Sequence, residues 1–571
     1  MARNYFEQGQ YEKAAVTYGA LLKKQPSNSN YILSLVETYQ QLEDYKKADS
    51  LLQKSLNLRQ NSPQLEIELG YNYQLQGKQN LAEEHYTKAI NSINTNPGYA
   101  YTVGRAFEKY SLLDQAITTY TTAMKLSDKF VFDLQLARIY GEQGNIELML
   151  DTYISLIRKD EKYSAIAQRT FSEFITENPE NKANIAFKKI VLKRLQQDPD
   201  LLYNQLLSWL FIQQKEYKKA FIQEKAIYKR SDKNMQGLIN LAGITLENND
   251  NEISEEILTF IVESTFNQDI KLSAEQKLLE LKVKISSNTD YASIKKRYED
   301  LLQLYGKTPQ TLSLQIAFAH FLAFKYNQQD EAISYLQQAL KLPISKYQEA
   351  RAKMELADIF VLNEKFNSAL IYYTQIQKKV ENDIIAQEAH FKVAKTSYYK
   401  GDFEWAQAQL KVLKSSTTQL IANDAQQLYL LIADNSLEDS TQTALKLFAR
   451  ADLLAFQNKT EQAIAVYEEI LENHKGESIE DEAFLAQGKL YSAQKNYEKA
   501  EANYLKILEF YGDDILADDA CYLLAQLYAG PLQKPEKAKE YYEQIIFNFA
   551  DSIYYVEAQK KFRMLRGDVL N

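Results

Sequence analysis

Few residues in this 571-residue chain are of types and spacings that could do chemistry. The four histidines, His85, His320, His390 and His474, are each at least 70 residues from the next, so no local metal-ligand motif forms. No HExxH, GxGxxG or phosphate-cradling loop is present. No serine or cysteine nucleophile carries a recognisable surrounding motif. The single cysteine, Cys521, excludes an intramolecular disulfide and a multi-cysteine zinc site. It stands near Leu523 and Leu524 in a helical stretch, where a small buried core residue is expected. The basic cluster Lys188, Lys189, Lys193 and Arg194 is expected to be a solvated helix face. A net charge of -9 argues against a general nucleic-acid binder, which would show a basic face. No apolar run approaches the ~18 residues that span a bilayer. The chain therefore reads as non-catalytic, with no cofactor and no metal expected.

The elements that must position side chains are more informative. Ala14, Ala48, Ala82 and Ala116 follow at steps of 34 residues. A large residue comes four positions after each: Tyr18, Leu52, Tyr86 and Tyr120. A small residue recurs earlier in the unit, as Ala2, Gly70 and Gly104, with Val36 as the exception. The stretch 478–514 shows the whole unit. One amphipathic helix carries Leu485, Gly488 and Tyr491; after the turn Gln494-Lys495-Asn496, a second carries Ala500, Tyr504 and Ile507. The small residues mark where the two helices cross, and neither helix can bury its apolar stripe without copies of the unit. The 17 glycines and 9 prolines are few for this length, and every proline falls at an expected loop or helix start.

This pattern resembles the tetratricopeptide repeat over nearly the whole chain. The resemblance implies an all-α solenoid, a right-handed superhelix of about 11–13 helix-turn-helix units. Three regions are expected. Residues 1–160 form a regular N-terminal array. Residues 161–310 form a divergent helical joint, broken at Ser286–Thr289, with Asp290 expected to cap the helix that follows. Residues 311–571 form a second array with longer repeats, marked by Ala332, Ala369, Ala406, Ala463, Ala500 and Ala538, and end in a charged capping helix from Ile553 to Leu565. An extra helical stretch, 420–432, lies between Ala406 and Ala463. Met1 falls at the seventh position of a first helix. Either the terminal repeat is atypical, or a segment such as an export signal precedes it.

In tetratricopeptide superhelices the leading helices line a groove that takes a peptide, a helix or a domain. Carried onto this sequence, the groove positions include Tyr71, Tyr101, Arg105, Arg138, Trp209, Phe391, Lys395 and Tyr398. Aromatic and arginine side chains dominate binding hot spots. The chaperone-binding members hold a C-terminal carboxylate with an asparagine at the ninth repeat position. Here those positions hold Glu37, Tyr71, Arg105, Arg138, Trp209, Asp358, Lys395 and Lys489, so an Hsp70- or Hsp90-type clamp is not expected. The loops Ile421–Ala425 and Leu516–Ala520, and the run Tyr399–Leu410, resemble those of periplasmic tetratricopeptide proteins of Gram-negative bacteria, Bacteroidota among them. That resemblance implies an envelope scaffold with protein partners at the outer membrane. A cytoplasmic scaffold is the alternative.

Overall fold

The computed structural model describes residues 1–58, 62–413, 419–436 and 442–568. Among them there are 32 α-helices, four short 3-10 turns and no strand. The chain divides into two compact units, residues 1–248 and 249–571. The division falls inside the stretch expected to be a joint.

The first unit opens with five antiparallel hairpins: α1 (Ala2–Glu7) with α2 (Tyr11–Lys24), α3 (Ser29–Gln41) with α4 (Tyr45–Leu58), α5 (Pro63–Leu75) with α6 (Gln79–Thr95), α7 (Ala100–Lys109) with α8 (Leu113–Leu126), and α9 (Asp133–Glu142) with α10 (Ile146–Lys159). Then come α11 (Ser164–Phe174) and α12 (Lys182–Gln197), the hairpin α13 (Leu201–Gln213) with α14 (Tyr217–Arg230), and α15 (Gln236–Glu247).

The second unit begins with α16 (Asn251–Ser264), α17 (Gln268–Ile285) and α18 (Tyr291–Tyr305). Three hairpins follow: α19 (Leu312–Phe324) with α20 (Gln329–Ala339), α21 (Lys346–Leu362) with α22 (Phe366–Lys379), and α23 (Ile384–Lys400) with α24 (Phe403–Leu413). A single helix, α25 (Gln419–Ser436), precedes α26 (Thr443–Phe456) with α27 (Thr460–Asn473), α28 (Ile479–Ala493) with α29 (Tyr497–Phe510), and α30 (Ala517–Ala529) with α31 (Pro535–Asn548). The last helix is α32 (Tyr555–Arg566).

The marker alanines sit where trailing helices cross their neighbours. Ala14, Ala48, Ala82, Ala116, Ala332, Ala369, Ala406, Ala463, Ala500 and Ala538 are all fully buried. The small residues of the leading helices meet the large residue of the trailing helix. A methyl added at Gly104 would lie 2.3 Å from the Tyr120 ring, and one added at Gly488 would lie 2.5 Å from Tyr504. The rings are buried but not dry at their tips: the Tyr86 hydroxyl donates to Gln74 at 2.8 Å, and Tyr120 donates to Glu108 at 2.6 Å. Each hydroxyl thus keeps a partner while its ring fills the hairpin.

The prolines fall as expected. Pro63 and Pro535 open helices, where the missing N–H is harmless, and Pro97 and Pro309 open 3-10 turns. At the break before α18, Asp290 holds the N-cap position as expected, but its side chain makes no capping hydrogen bond to that helix. Ser287 caps the short 3-10 turn before it, and Asp290 reaches back, its carboxylate accepting from the Ser287 N–H at 3.1 Å. Asp290 therefore also sits at the third position of the capping box of that turn.

The turns within hairpins need a left-handed residue. Gly9, Gly77 and Gly144 fill that slot with φ of 72–73°, but Ser111 occupies it at φ 55°. A residue with a Cβ pays about 1–2 kcal/mol there, partly offset because glycine loses more chain entropy on folding. Ser111→Gly should therefore stabilise the α7/α8 hairpin by a few tenths to about 1 kcal/mol. Slower hydrogen exchange of the α8 amides is the expected readout; faster exchange would contradict it.

Candidate functional site

On the first unit, the leading helices α7 and α9 hold three of the expected groove residues side by side. Tyr101, Arg105 and Arg138 line an open depression of about 210 Å³, together with Glu108 and Gln135. Arg105 and Arg138 are exposed, and the Tyr101 ring is 54% exposed. They meet because Arg105 and Arg138 take the same repeat position on successive leading helices. Arg105 Nη1 donates to Glu108 Oε2 at 2.9 Å, so part of its charge is answered within the fold. Arg138 has no ion-pair or hydrogen-bond partner among the described residues, which leaves a guanidinium with five donors facing solvent.

Beside this depression the face changes character. Tyr71 stacks on Tyr110, with ring centroids 3.8 Å apart, so one side of its ring is already taken. The Tyr110 hydroxyl donates to Glu68 at 2.5 Å, and Lys109 Nζ lies 3.6 Å from Glu37 and 3.9 Å from Glu68. Burial raises the Glu68 carboxyl above its ordinary range, against the pull of Lys109 and the Tyr110 hydrogen bond.

Trp209 does not join the arginines. It leans on Phe171 and Phe187, with centroids 6.1 and 5.8 Å away, and borders a separate cavity of about 490 Å³ lined also by Arg158, Gln168 and Gln205. One edge of its indole serves as packing.

The second unit overturns part of the expected groove. Tyr398 is fully buried. Its hydroxyl donates to Asp452 Oδ2 at 3.1 Å, and Asp452 Oδ1 accepts from Tyr467 at 2.6 Å. Phe391 is half-buried against the same core, and Lys395 is half-buried with its Nζ 5.9 Å from the centroid of the Tyr399 ring. The physical reason is α26. This helix packs beside α23, and its C-terminal end meets the C-terminal ends of α19 and α21. Phe456 meets Phe324 at 5.6 Å, Gln457 Nε2 donates to the Leu362 carbonyl at 3.0 Å, and Arg450 Nη1 bonds Glu364 at 2.8 Å. The Tyr398 side chain, expected to greet a partner, is instead packed among α23, α26 and α27. One signal could have warned of this: Asp452 is the only acid in the run Phe448–Phe456, and burial raises its carboxyl above the usual range despite Tyr467, Lys395, Tyr398 and Lys489.

The other chemistry-bearing residues are absorbed by local structure. Arg194 binds Asp151 and the Ser155 hydroxyl, and Lys189 reaches Glu147 at 3.3 Å. Half the basic cluster is thus neutralised by α10. Each histidine has its own separate partner: His85 with Glu66, His320 with Glu355, His390 with Gln409 and His474 with Glu477. Among the described residues no group of three or more His, Cys, Asp or Glu side chains is placed to hold a metal. Cys521 is buried, which pushes its thiol up to about 12. Among the described residues no helix is long and apolar enough to cross a membrane.

The stacked hairpins define an α-solenoid built to present helix faces to other molecules. Sequence models of the tetratricopeptide repeat match residues 5–66, 322–384, 448–515 and 518–546, so these stretches are tetratricopeptide repeats, and arrays of that repeat are protein-interaction scaffolds. No curated protein sequence matches the chain. Among solved structures, a chain from the structure of Naa15/Naa10 bound to HypK-THB is similar at 13% identity and a TM-score of 0.30, covering 99% of this chain and 96% of that one. A chain of the APC/C hetero-tetramer Cut9–Hcn1 is similar at 15% identity and a TM-score of 0.25, covering 99% and 95%.

Proposed function

We propose that this chain is a non-catalytic scaffold whose first unit grips an acidic segment of a protein partner across α7 and α9. The observation that carries this reading is the exposed trio Tyr101, Arg105 and Arg138, with Arg138 unpaired among the described residues. A planar guanidinium suits a carboxylate in bidentate geometry, and an exposed tyrosine beside it supplies apolar area at small entropic cost. The burial of Tyr398 argues in the same direction, because it takes that side chain out of the groove expected on the second unit.

We further propose that the scaffold serves an envelope assembly or secretion machine in the periplasm, at the outer membrane of a Gram-negative bacterium. The support is the likeness of its C-terminal loops to those of periplasmic repeat proteins. The test is a crosslinked pull-down of the native protein from its own cells. Recovery of outer-membrane barrels, lipoproteins or peptidoglycan-linked proteins is expected; recovery of cytosolic proteins alone would replace the compartment with the cytoplasm. For the binding face, the triple change Tyr101→Ala, Arg105→Ala and Arg138→Ala should weaken the recovered partner by roughly tenfold or more, since hot-spot truncations each cost more than about 1 kcal/mol. Circular dichroism should not change, because all three side chains are exposed. Undiminished binding would remove this face from the mechanism.

A further inference from the structure

The last two hairpins expose apolar side chains that the repeat does not require. Phe510 ends α29, and Phe547 lies in the last turn of α31; they are 63% and 75% exposed. Ile515 and Ile553 stand in the loops that follow, 70% and 71% exposed. Val556, in the first turn of α32, adds to them. Ile515 and Ile553 are 38 residues apart, the same step as from Ala500 to Ala538, so they hold one repeat position. The trailing helices α29 and α31 run in the same direction. Their C-termini and following loops therefore share one edge of the stack.

The same edge is acidic. Asp513 and Asp551 also hold one repeat position, and Glu509 and Asp514 stand next to them. All four are exposed, and among the described residues none has an ion-pair partner. Exposed apolar side chains rimmed by charge mark an interaction site. The unanswered carboxylates select its partner: an anionic lipid surface would be repelled, whereas lysine and arginine would be drawn in.

We infer that this edge docks a basic amphipathic segment of a partner protein. Its apolar face lies on Phe510, Ile515, Phe547 and Ile553, and its lysines or arginines meet Glu509, Asp513, Asp514 and Asp551. This surface is separate from the arginine-lined face of α7 and α9 and takes the opposite charge.

The test uses the full chain and two labelled designed helices of about 18 residues, with leucine on one face and either lysine or glutamate on the other. Fluorescence anisotropy should show the lysine helix binding at least roughly tenfold more tightly than the glutamate helix, with affinity falling as salt is raised. Phe510→Ser with Phe547→Ser leaves the charge unchanged and should weaken the lysine helix at least roughly tenfold. Ile515→Ser with Ile553→Ser, both in loops, reads the same surface should the first variant fold poorly. Tyr101→Ala, Arg105→Ala and Arg138→Ala should leave this binding intact, which separates it from the proposed partner face. Equal binding by wild type and both serine variants would overturn the inference, because it would reduce the attraction to general charge. It is also overturned by a wild-type dimer that Phe510→Ser with Phe547→Ser dissociates, or by zwitterionic vesicles that wild type binds and that variant does not.

Discussion

Gly104→Ala should destabilise the first unit by about 2 kcal/mol, whereas Gly243→Ala should stabilise it by up to about 1 kcal/mol. Both glycines lie inside helices, α7 and α15, and alanine is the better helix former at each. Surroundings decide the sign. A Cβ at Gly104 would come within 2.3, 2.5 and 2.6 Å of Cζ, Cε1 and the hydroxyl of Tyr120. That ring cannot retreat: it is fully buried, its hydroxyl is tied to Glu108, and it lies 4.7 Å from the Phe132 ring. Overpacking such a site costs about 1–3 kcal/mol beyond what propensity returns. At Gly243 nothing lies within 4 Å of the added methyl, so only the propensity gain remains. A chain of two units need not unfold in one step, so a single melting temperature is a poor readout. Hydrogen exchange of the α7/α8 amides and of the α15 amides separates the two sites. Unchanged protection in α7/α8 for Gly104→Ala would contradict the close crossing.

The second large effect is a pH dependence written into the start of α28. Glu480 and Asp481 are buried and Glu482 is half-buried, in the first turn of that helix. Glu480 is satisfied by the Gly476 N–H and the Tyr511 hydroxyl, both at 2.6 Å. Glu482 is not: its Oε2 is buried without a hydrogen-bond partner. Burial, the neighbouring Asp481 carboxylate and the charge of Asp434 push Glu482 up to about 10. The folded chain therefore holds a proton on Glu482 at neutral pH that the unfolded chain, with a glutamate near 4.3, does not. A raised folded value means the stabilisation is complete below about pH 4 and drains away as pH climbs toward 10. The ceiling is about 1.4 kcal/mol per pH unit, and a discount for water reaching the site leaves about 2–3 kcal/mol between pH 5 and 9. Glu482→Gln mimics the protonated form. It should flatten this slope, so its stability relative to wild type rises with pH. Parallel urea-unfolding curves for the two proteins at pH 5, 7 and 9 would refute the protonated Glu482.

The repeat was legible because it obeys a local rule. Side chains three, four and thirty-four residues apart fall on one face, and small residues at the crossings are dictated by how closely two helices approach. The alanine frame, the proline placements and the extra helix near 420–432, observed as α25, follow from that rule alone. The arginine pair of the first unit was legible for the same reason, since Arg105 and Arg138 hold one repeat position. Tyr398 and Trp209 were not. A repeat frame assigns each leading helix the same role, so it cannot tell that Trp209 leans on Phe171 and Phe187. Nor does it contain the contacts of Gln457 with Leu362 and Glu364, more than 90 residues apart, that hold the end of α26 against the end of α21.

The sequence by itself determined an all-α array of stacked helical hairpins with no local catalytic motif, because periodicity and crossing residues are properties of neighbouring segments. Only the tertiary structure decided which of the expected groove side chains stay open and which, like Tyr398, are buried against another helix. That choice depends on apolar surface and buried polar pairs meeting between helices distant in sequence, and no short-range pattern encodes which of them will meet.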